Sequence, residues 1–136
     1  MAAGLNFVLG LSCDLGDTIV MEGREVFKRA VRAVTGSVEN ALAQAGISAE
    51  DIDVVLPHQA NIRIIEAVTQ RLGIPMEKTF NVLEHTGNTS GASIPMAMAA
   101  ADEAGVLEPG ALVLMSGFGA GMAWGSVVVR WLSLIH

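Results

Sequence analysis

The chain has 136 residues, 51% of them hydrophobic, and carries a net charge of −6 at pH 7. The negative charge argues against nucleic acid as a partner, and no apolar run reaches the roughly 18 residues that a membrane span needs. The single cysteine, Cys13, excludes an internal disulfide, and with no secretory-type segment at the N-terminus it predicts a cytoplasmic location. A chain this short and this apolar is expected to turn a large apolar face toward another element.

Hydrophobic spacing predicts a domain-sized unit in which helices and strands alternate. In chain order, the predicted elements are a short strand over 5–11, a long helix over 22–45, a buried strand over 52–56, a helix over 59–72, a brief strand over 79–82, a polar turn over 83–88, a helix over 89–104, and strands over 111–115 and 127–131. This order favours α/β layering around a mixed sheet.

The helix predicted over 89–104 has an unusual composition. Its side chains are nearly all small: Gly91, Ala92, Ser93, Ala97, Ala99, Ala100 and Ala101. A helix that is small and apolar on nearly every side is typical of a tightly packed, buried central layer.

Three clusters lie at the ends of predicted strands, where α/β proteins place their ligands. They read P-H-Q-A-N-I-R over 57–63, G-N-T-S over 87–90 and G-F-G-A-G-M-A-W-G over 117–125. Taken singly, each has a structural explanation: a histidine after a strand, a turn with a helix cap, and a hairpin. The glycine-rich segment is a poor dinucleotide loop because a strand, not a helix, follows it.

Taken together, the clusters and the segment M-E-G-R-E-V-F-K over 21–28 resemble the ketoacyl synthase III enzymes of the thiolase-like superfamily. The resemblance covers residues 21–131, with 1–20 as a weakly matching lead-in and 132–136 as an extraneous tail. It implies the C-terminal half of a five-layer αβαβα fold, with a mixed sheet and the small-residue helix buried at the centre.

The resemblance also implies a catalytic trio of cysteine, histidine and asparagine. His58 and Asn88 stand at the family's histidine and asparagine positions, and Ala120 stands where a backbone N–H supplies an oxyanion donor, commonly from glycine. The nucleophilic cysteine belongs to an N-terminal half that this sequence does not include. Cys13 lies outside the nucleophile context, so a small buried hydrophobic role is expected for it.

Further positions carry over from the family as substrate and partner contacts. Those matching the pantetheine channel are Asn61, Met21, Phe27 and Phe118, although ordinary core packing explains the two phenylalanines equally well. Those matching or neighbouring the carrier-docking positions are Lys28, Arg63 and Arg71. From spacing alone, the stripe of Arg24, Lys28 and Arg32 is either a solvated helix face or a dock for an acidic partner.

The implied function is the decarboxylative Claisen condensation of acyl-CoA with malonyl-carrier in fatty-acid biosynthesis. It needs no cofactor and no metal, and its implied partners are acyl carrier protein, acyl-CoA, the N-terminal half and a second copy of the full-length enzyme. Three alternatives stay open: a related synthase of polyketide or other secondary metabolism, a non-catalytic carrier-binding module, and an inactive fragment. The chain alone is expected to lack condensing activity because no residue in it supplies the acyl-enzyme.

Overall fold

A computed structural model of the protein describes residues 11–13, 19–21 and 23–132. The strands are β1 (Leu11–Cys13), β2 (Ile19–Met21), β3 (Val54–Pro57), β4 (Leu112–Gly119) and β5 (Ala123–Arg130). The α-helices are α1 (Gly23–Ala45), α2 (Ile62–Leu72), the one-turn α3 (Leu83–Thr86) and α4 (Ser93–Glu103). The strand predicted over 5–11 falls outside the described residues except for Leu11.

The main sheet is mixed, as the sequence predicts. It has the order β3-β4-β5, with β3 parallel to β4 and β4 antiparallel to β5. The strands β1 and β2 form a separate antiparallel pair. Because β3 and β4 are parallel, their carboxyl ends reach the same edge of the sheet, where ligand sites of α/β proteins form.

Apolar side chains of β3 and β4 alternate between the two faces of this sheet, so each face has its own core. Val55 and Leu114 face α1 and α2, whereas Leu56 and Val113 face α4. The buried residues of α1 recur at helical spacing: Ala30, Val31, Val34, Val38 and Leu42. The result is a helix–sheet–helix sandwich that holds the carboxyl ends of β3 and β4 in fixed positions.

The small residues of α4 bury one face of this helix. Ser93, Ala97 and Ala101, spaced one turn apart, are buried against the sheet, and their short side chains let the helix approach closely. The opposite face is open in this chain, with Met96 40% exposed. Although α4 is apolar, no helix in the described ranges is both long and apolar enough to cross a bilayer.

The glycine-rich segment is more regular than the sequence suggests. The strands predicted to stop at 115 and to resume at 127 instead continue to Gly119 and from Ala123. Glycine has low strand propensity, so the apolar pattern fades there, yet the ladder continues through the pair of Gly117 and Gly125. The segment is therefore a hairpin whose turn is only 120–122.

The strand predicted over 79–82 is wrong, because only Thr79 forms a bridge, to Val55 of β3. One backbone bond, from the Phe80 N–H to the Val55 carbonyl at 3.0 Å, accompanies this bridge, and the fully buried side chain of Gln59 makes the further contacts. Its Oε1 accepts from the Val82 N–H at 3.2 Å, and its Nε2 lies 3.5 Å from the Phe80 carbonyl oxygen. The polar turn predicted next contains the single helical turn of α3.

The helix α2 begins at Ile62 rather than at the predicted Gln59. Asn61 has extended backbone angles, and its Oδ1 accepts from the Arg63 N–H at 2.9 Å. This is the N-cap arrangement that satisfies one of the unpaired N–H groups of a first helical turn. The cap fixes where the helix starts relative to the end of β3.

We expect Asn61→Ala to lower the free energy of unfolding by about 1 kcal/mol, the usual cost of losing such a cap. Asn61→Asp is the matched control, because a carboxylate oxygen can still accept from the Arg63 N–H. Urea denaturation of the three chains measures the difference. Equal midpoints for Asn61→Ala and the parent would show that the cap does not stabilise α2.

Candidate active site

The carboxyl ends of β3 and β4, the start of α1 and the start of α4 enclose one open cleft. Residues of all three sequence clusters line it, together with residues of α1: Arg24, Phe27, Lys28, His58, Asn61, Arg63, Asn88, Ser90, Ser93, Phe118 and Ala120. The cleft therefore unites side chains that are separated by up to 98 residues in the sequence, from Arg24 to Met122.

His58 follows β3 directly, and its position in the cleft is well defined. Its backbone N–H donates to the Ser116 carbonyl at 2.7 Å, which continues the pairing of β3 with β4. Its Nδ1 lies 2.6 Å from Ser93 Oγ, and its ring meets that of Phe118 edge-on, with centroids 5.6 Å apart. Burial lowers the pKa of His58, so the imidazole is neutral at pH 7.

Asn88 lies in the loop before α4 and is exposed to the cleft. Its Oδ1 accepts from the Ser90 N–H at 2.9 Å. That bond closes a turn in which Ser90 takes a left-handed conformation with φ of 54°, one that a residue other than glycine seldom adopts. With Oδ1 engaged, the amide N–H groups of Asn88 are the atoms left to bind a ligand.

His58 and Asn88 share one structural feature: each contacts the entry of α4. His58 Nδ1 lies against Ser93 Oγ, and Asn88 Oδ1 accepts from the Ser90 N–H. Both side chains also carry hydrogen-bond donors and line the same cleft. Two fixed neutral donors are suited to stabilising negative charge that develops on an oxygen atom during a reaction.

The hairpin of β4 and β5 forms another wall of the cleft. Ala120 lies in its turn and lines the cleft. A Cβ atom placed on Gly117 would lie 3.7 Å from the Cβ of His58 and 3.6 Å from Cδ1 of Ile94. These are ordinary van der Waals distances, so β4 passes directly beside His58 and Ile94 at this glycine.

The cleft brings together most of the predicted substrate and docking residues. Asn61, Phe27 and Phe118 line it, as do Lys28 and Arg63 at its polar rim. Its charges are locally positive, although the chain as a whole is acidic.

Two predicted or weighed positions do not line the cleft that the described residues form, and the side chain of a third is not among those described. Arg71 is exposed in the last turn of α2, roughly 12 Å along the helix axis from Arg63 at 1.5 Å per residue. Arg32, the last residue of the predicted basic stripe, is also exposed and away from the cleft. Met21 ends β2, and its side chain lies outside the described residues.

Two residues that hold the site together, Ser93 and Gln59, were not predicted from the sequence to do so. Ser93 was predicted only as a small helix residue, yet its Oγ contacts His58 Nδ1 and accepts from the Gln59 N–H at 3.2 Å. Gln59 ties the end of β3 to 80–82, and its Nε2 also donates to the Pro57 carbonyl at 3.0 Å. A polar residue two positions after a buried strand was the available signal for Gln59, whereas Ser93 carried none.

The sequence matches the family described as 3-oxoacyl-[acyl-carrier-protein (ACP)] synthase III C terminal over residues 42–131. It is 54% identical over 110 residues to the beta-ketoacyl-[acyl-carrier-protein] synthase III of Oleidesulfovibrio alaskensis, which covers 81% of this chain and 33% of that protein. The Bacillus pumilus synthase III is 47% identical over 121 residues, covering 89% and 39%.

Solved structures give the same result. The 3-oxoacyl-[acyl-carrier-protein] synthase III of Aquifex aeolicus has a TM-score of 0.87 and 43% identity, over 90% of this chain and 40% of that one. The priming beta-ketosynthase of the R1128 polyketide pathway has a TM-score of 0.79 and 37% identity, over 85% and 35%.

The fold and cleft thus define a thiolase-like α/β protein, as the motifs predict. More narrowly, the chain belongs to the 3-oxoacyl-[acyl-carrier-protein] synthase III family and corresponds to its C-terminal part. It spans about a third of the length of the curated relatives that it matches.

Proposed function

We propose that this chain forms the C-terminal catalytic part of a 3-oxoacyl-(acyl-carrier-protein) synthase, which condenses acyl-CoA with malonyl-carrier in fatty-acid biosynthesis. The observation that carries the proposal is the meeting of His58 and Asn88 in one cleft, where His58 Nδ1 contacts Ser93 Oγ and Asn88 Oδ1 accepts from the Ser90 N–H. The identity of the chain to synthases of this name supports the same conclusion.

In the proposed reaction, a cysteine from the part of the enzyme outside this sequence carries the acyl group as a thioester. The bond between the malonyl α-carbon and its carboxylate breaks, carbon dioxide leaves, and the electron pair forms an enolate on the carrier thioester. His58 and Asn88 donate hydrogen bonds to the enolate oxygen as its negative charge grows. The neutral state of His58 leaves it one N–H donor, and an amide donor does not titrate.

The enolate carbon then attacks the carbonyl of the acyl-cysteine. A carbon–carbon bond forms, the carbon–sulfur bond breaks, and the thiolate is released. A second site for negative charge is needed on the acyl carbonyl oxygen, and we assign one of its donors to the backbone N–H of Ala120, in the hairpin turn beside the cleft. No step of this chemistry requires a cofactor or a metal.

The cleft also suggests how substrates are held. We assign Asn61, Phe27, Phe118 and Met21 to the pantetheine arm, and the positive rim to docking of an acidic acyl carrier protein. Lys28 and Arg63 are at that rim, whereas Arg71 would contact the carrier farther from the cleft. Homodimers of the whole enzyme and a cytoplasmic location remain part of the proposal.

A hybrid enzyme tests the proposed function. Residues 21–131 would replace the corresponding C-terminal third of the Oleidesulfovibrio alaskensis synthase III, which supplies the rest of the chain. We expect the hybrid to condense acetyl-CoA with malonyl-carrier, and the 136-residue chain alone to show no condensation and no acyl group on Cys13. A folded hybrid that is acylated but never condenses would contradict the proposal.

Within the hybrid, we expect Arg63→Glu to raise KM for malonyl-carrier about tenfold or more, because an acidic partner meets a reversed charge. Acylation by acetyl-CoA should stay close to the parent rate. Arg130→Glu, an exposed charge reversal outside the cleft lining, is the matched control. Equal losses in acylation and in carrier-dependent turnover would assign Arg63 to folding instead of docking.

One rival function has a specific observation in its favour, namely the similarity to the R1128 priming beta-ketosynthase. In that case the hybrid would still condense, but it would accept the carrier protein of a polyketide pathway better than that of fatty-acid synthesis. Turnover with the two carriers separates the two functions. A non-catalytic carrier-binding module would bind either carrier and leave the hybrid without condensing activity.

A further inference from the structure

Ser93 is the first residue of α4, and its side chain is unusually placed for a serine at a helix start. Its relative exposure is 1%, and it caps no N–H group of its own helix. Its Oγ instead lies 2.6 Å from His58 Nδ1 and accepts from the backbone N–H of Gln59 at 3.2 Å. These two contacts are its only side-chain hydrogen bonds within the described residues.

The hydrogen count at this hydroxyl decides which way its bonds run. The Gln59 N–H can only donate, so it occupies one lone pair of Ser93 Oγ. The hydroxyl has one hydrogen of its own, and a buried polar hydrogen without an acceptor costs about 1–3 kcal/mol. The only acceptor that the described residues offer it is His58 Nδ1.

We propose that Ser93 is a positioning residue that fixes the tautomer of His58. By donating to Nδ1, its hydroxyl holds the single imidazole hydrogen on Nε2, the ring nitrogen that remains for a ligand in the cleft. The Gln59 N–H helps by turning the hydroxyl toward the ring. Ser93 thereby acts through His58 and touches no reacting atom itself.

The consequence for chemistry rests on the proposed function. A neutral imidazole with its hydrogen on Nδ1 would present a lone pair at Nε2 and repel an enolate oxygen, whereas the Nε2–H tautomer stabilises it. The hydrogen bond that Asn88 Oδ1 accepts from the Ser90 N–H orients the amide in the same way. The residues at the start of α4 therefore determine that both side chains present N–H donors to the cleft.

The tautomer can be measured on the 136-residue chain itself, without any assay of activity. In long-range proton–nitrogen correlation spectra of the ¹⁵N-histidine-labelled chain at pH 8, we expect Nε2 of His58 to have the shift of a protonated nitrogen and Nδ1 that of an acceptor. The chain has three histidines, and the spectrum of His58→Gln identifies the signals of His58. If the unsubstituted chain carries the hydrogen on Nδ1, the proposal is overturned, and this outcome does not depend on whether any variant folds.

Variants then test the cause. Ser93→Ala should give an averaged mixture of tautomers, Ser93→Thr should keep the parent pattern because it retains the hydroxyl, and Ser37→Ala, a helix serine on α1, serves as the control. An unchanged Nε2–H tautomer in a folded Ser93→Ala chain would contradict the role of the hydroxyl. If Ser93→Ala does not fold, the same spectra of Ser93→Cys, whose thiol is a weak donor, replace it.

Kinetics in the hybrid separate this inference from the function on which it rests. We expect Ser93→Ala to lower kcat for malonyl decarboxylation by roughly tenfold with KM unchanged, as for the loss of one hydrogen bond. A tautomer that shifts in the spectra while the hybrid never condenses would sustain the inference and reject the proposed function. A hybrid that condenses while its Ser93→Ala variant decarboxylates at the parent rate would support the proposed function and reject the inference about Ser93.

Discussion

Replacing His58 by alanine in the hybrid enzyme should lower the rate of malonyl-carrier decarboxylation by about 10²–10³, the usual effect of removing one fixed oxyanion donor. The reason is geometric: His58 Nδ1 contacts Ser93 Oγ and the ring meets that of Phe118 edge-on, so the imidazole is already oriented before substrate binds. Decarboxylation is measured as carbon dioxide released from malonyl-carrier.

The control for this prediction is the loading step. Acylation of the cysteine by acetyl-CoA, measured by mass spectrometry of the intact hybrid, should survive His58→Ala, at a lower rate if the histidine also favours the thiolate. His58→Gln should recover part of the decarboxylation rate, because its amide retains an N–H donor. A variant that decarboxylates normally yet cannot be acylated would make His58 a base for the cysteine rather than a donor to the enolate.

Hydrophobic spacing predicts those helices and strands whose own residues show which side is buried. The spacing of Ala30, Val34 and Val38 shows α1 without knowledge of its partners, and the apolar run before Pro57 shows β3. The paired strand ends then follow from the parallel order of the sheet. The cleft contains both His58 and Asn88, but the strand that was expected to bring Asn88 to this edge, over 79–82, is not formed.

Local patterns fail where a distant group decides the structure. The segment 79–82 has the composition of a strand, but beyond the bridge to Val55 of β3 the side chain of Gln59 binds its backbone groups. Ser93 resembles any other small residue of α4, and only the approach of His58 from 35 positions away gives it a role. Such contacts have no periodicity and no characteristic spacing, so local sequence patterns do not indicate which residues they join.

Asn88 should prove as important to decarboxylation as His58, and two substitutions distinguish its possible roles. Asn88→Ala removes both the amide donors and the Oδ1 atom that accepts from the Ser90 N–H. Asn88→Asp keeps an oxygen for that bond, so the turn and the left-handed Ser90 are preserved, but it replaces the donors by a negative charge.

If Asn88 acts as a donor, both variants should lose about 10²–10³ in decarboxylation, and Asn88→Asp should be the slower, because its carboxylate repels the enolate that forms in the cleft. If Asn88 only closes the turn before α4, Asn88→Asp should keep nearly the parent rate and Asn88→Ala alone should suffer. Carbon dioxide release by the two folded hybrids decides between these outcomes. An active Asn88→Asp enzyme would remove asparagine from the proposed site and leave His58 as its sole side-chain donor among the residues described.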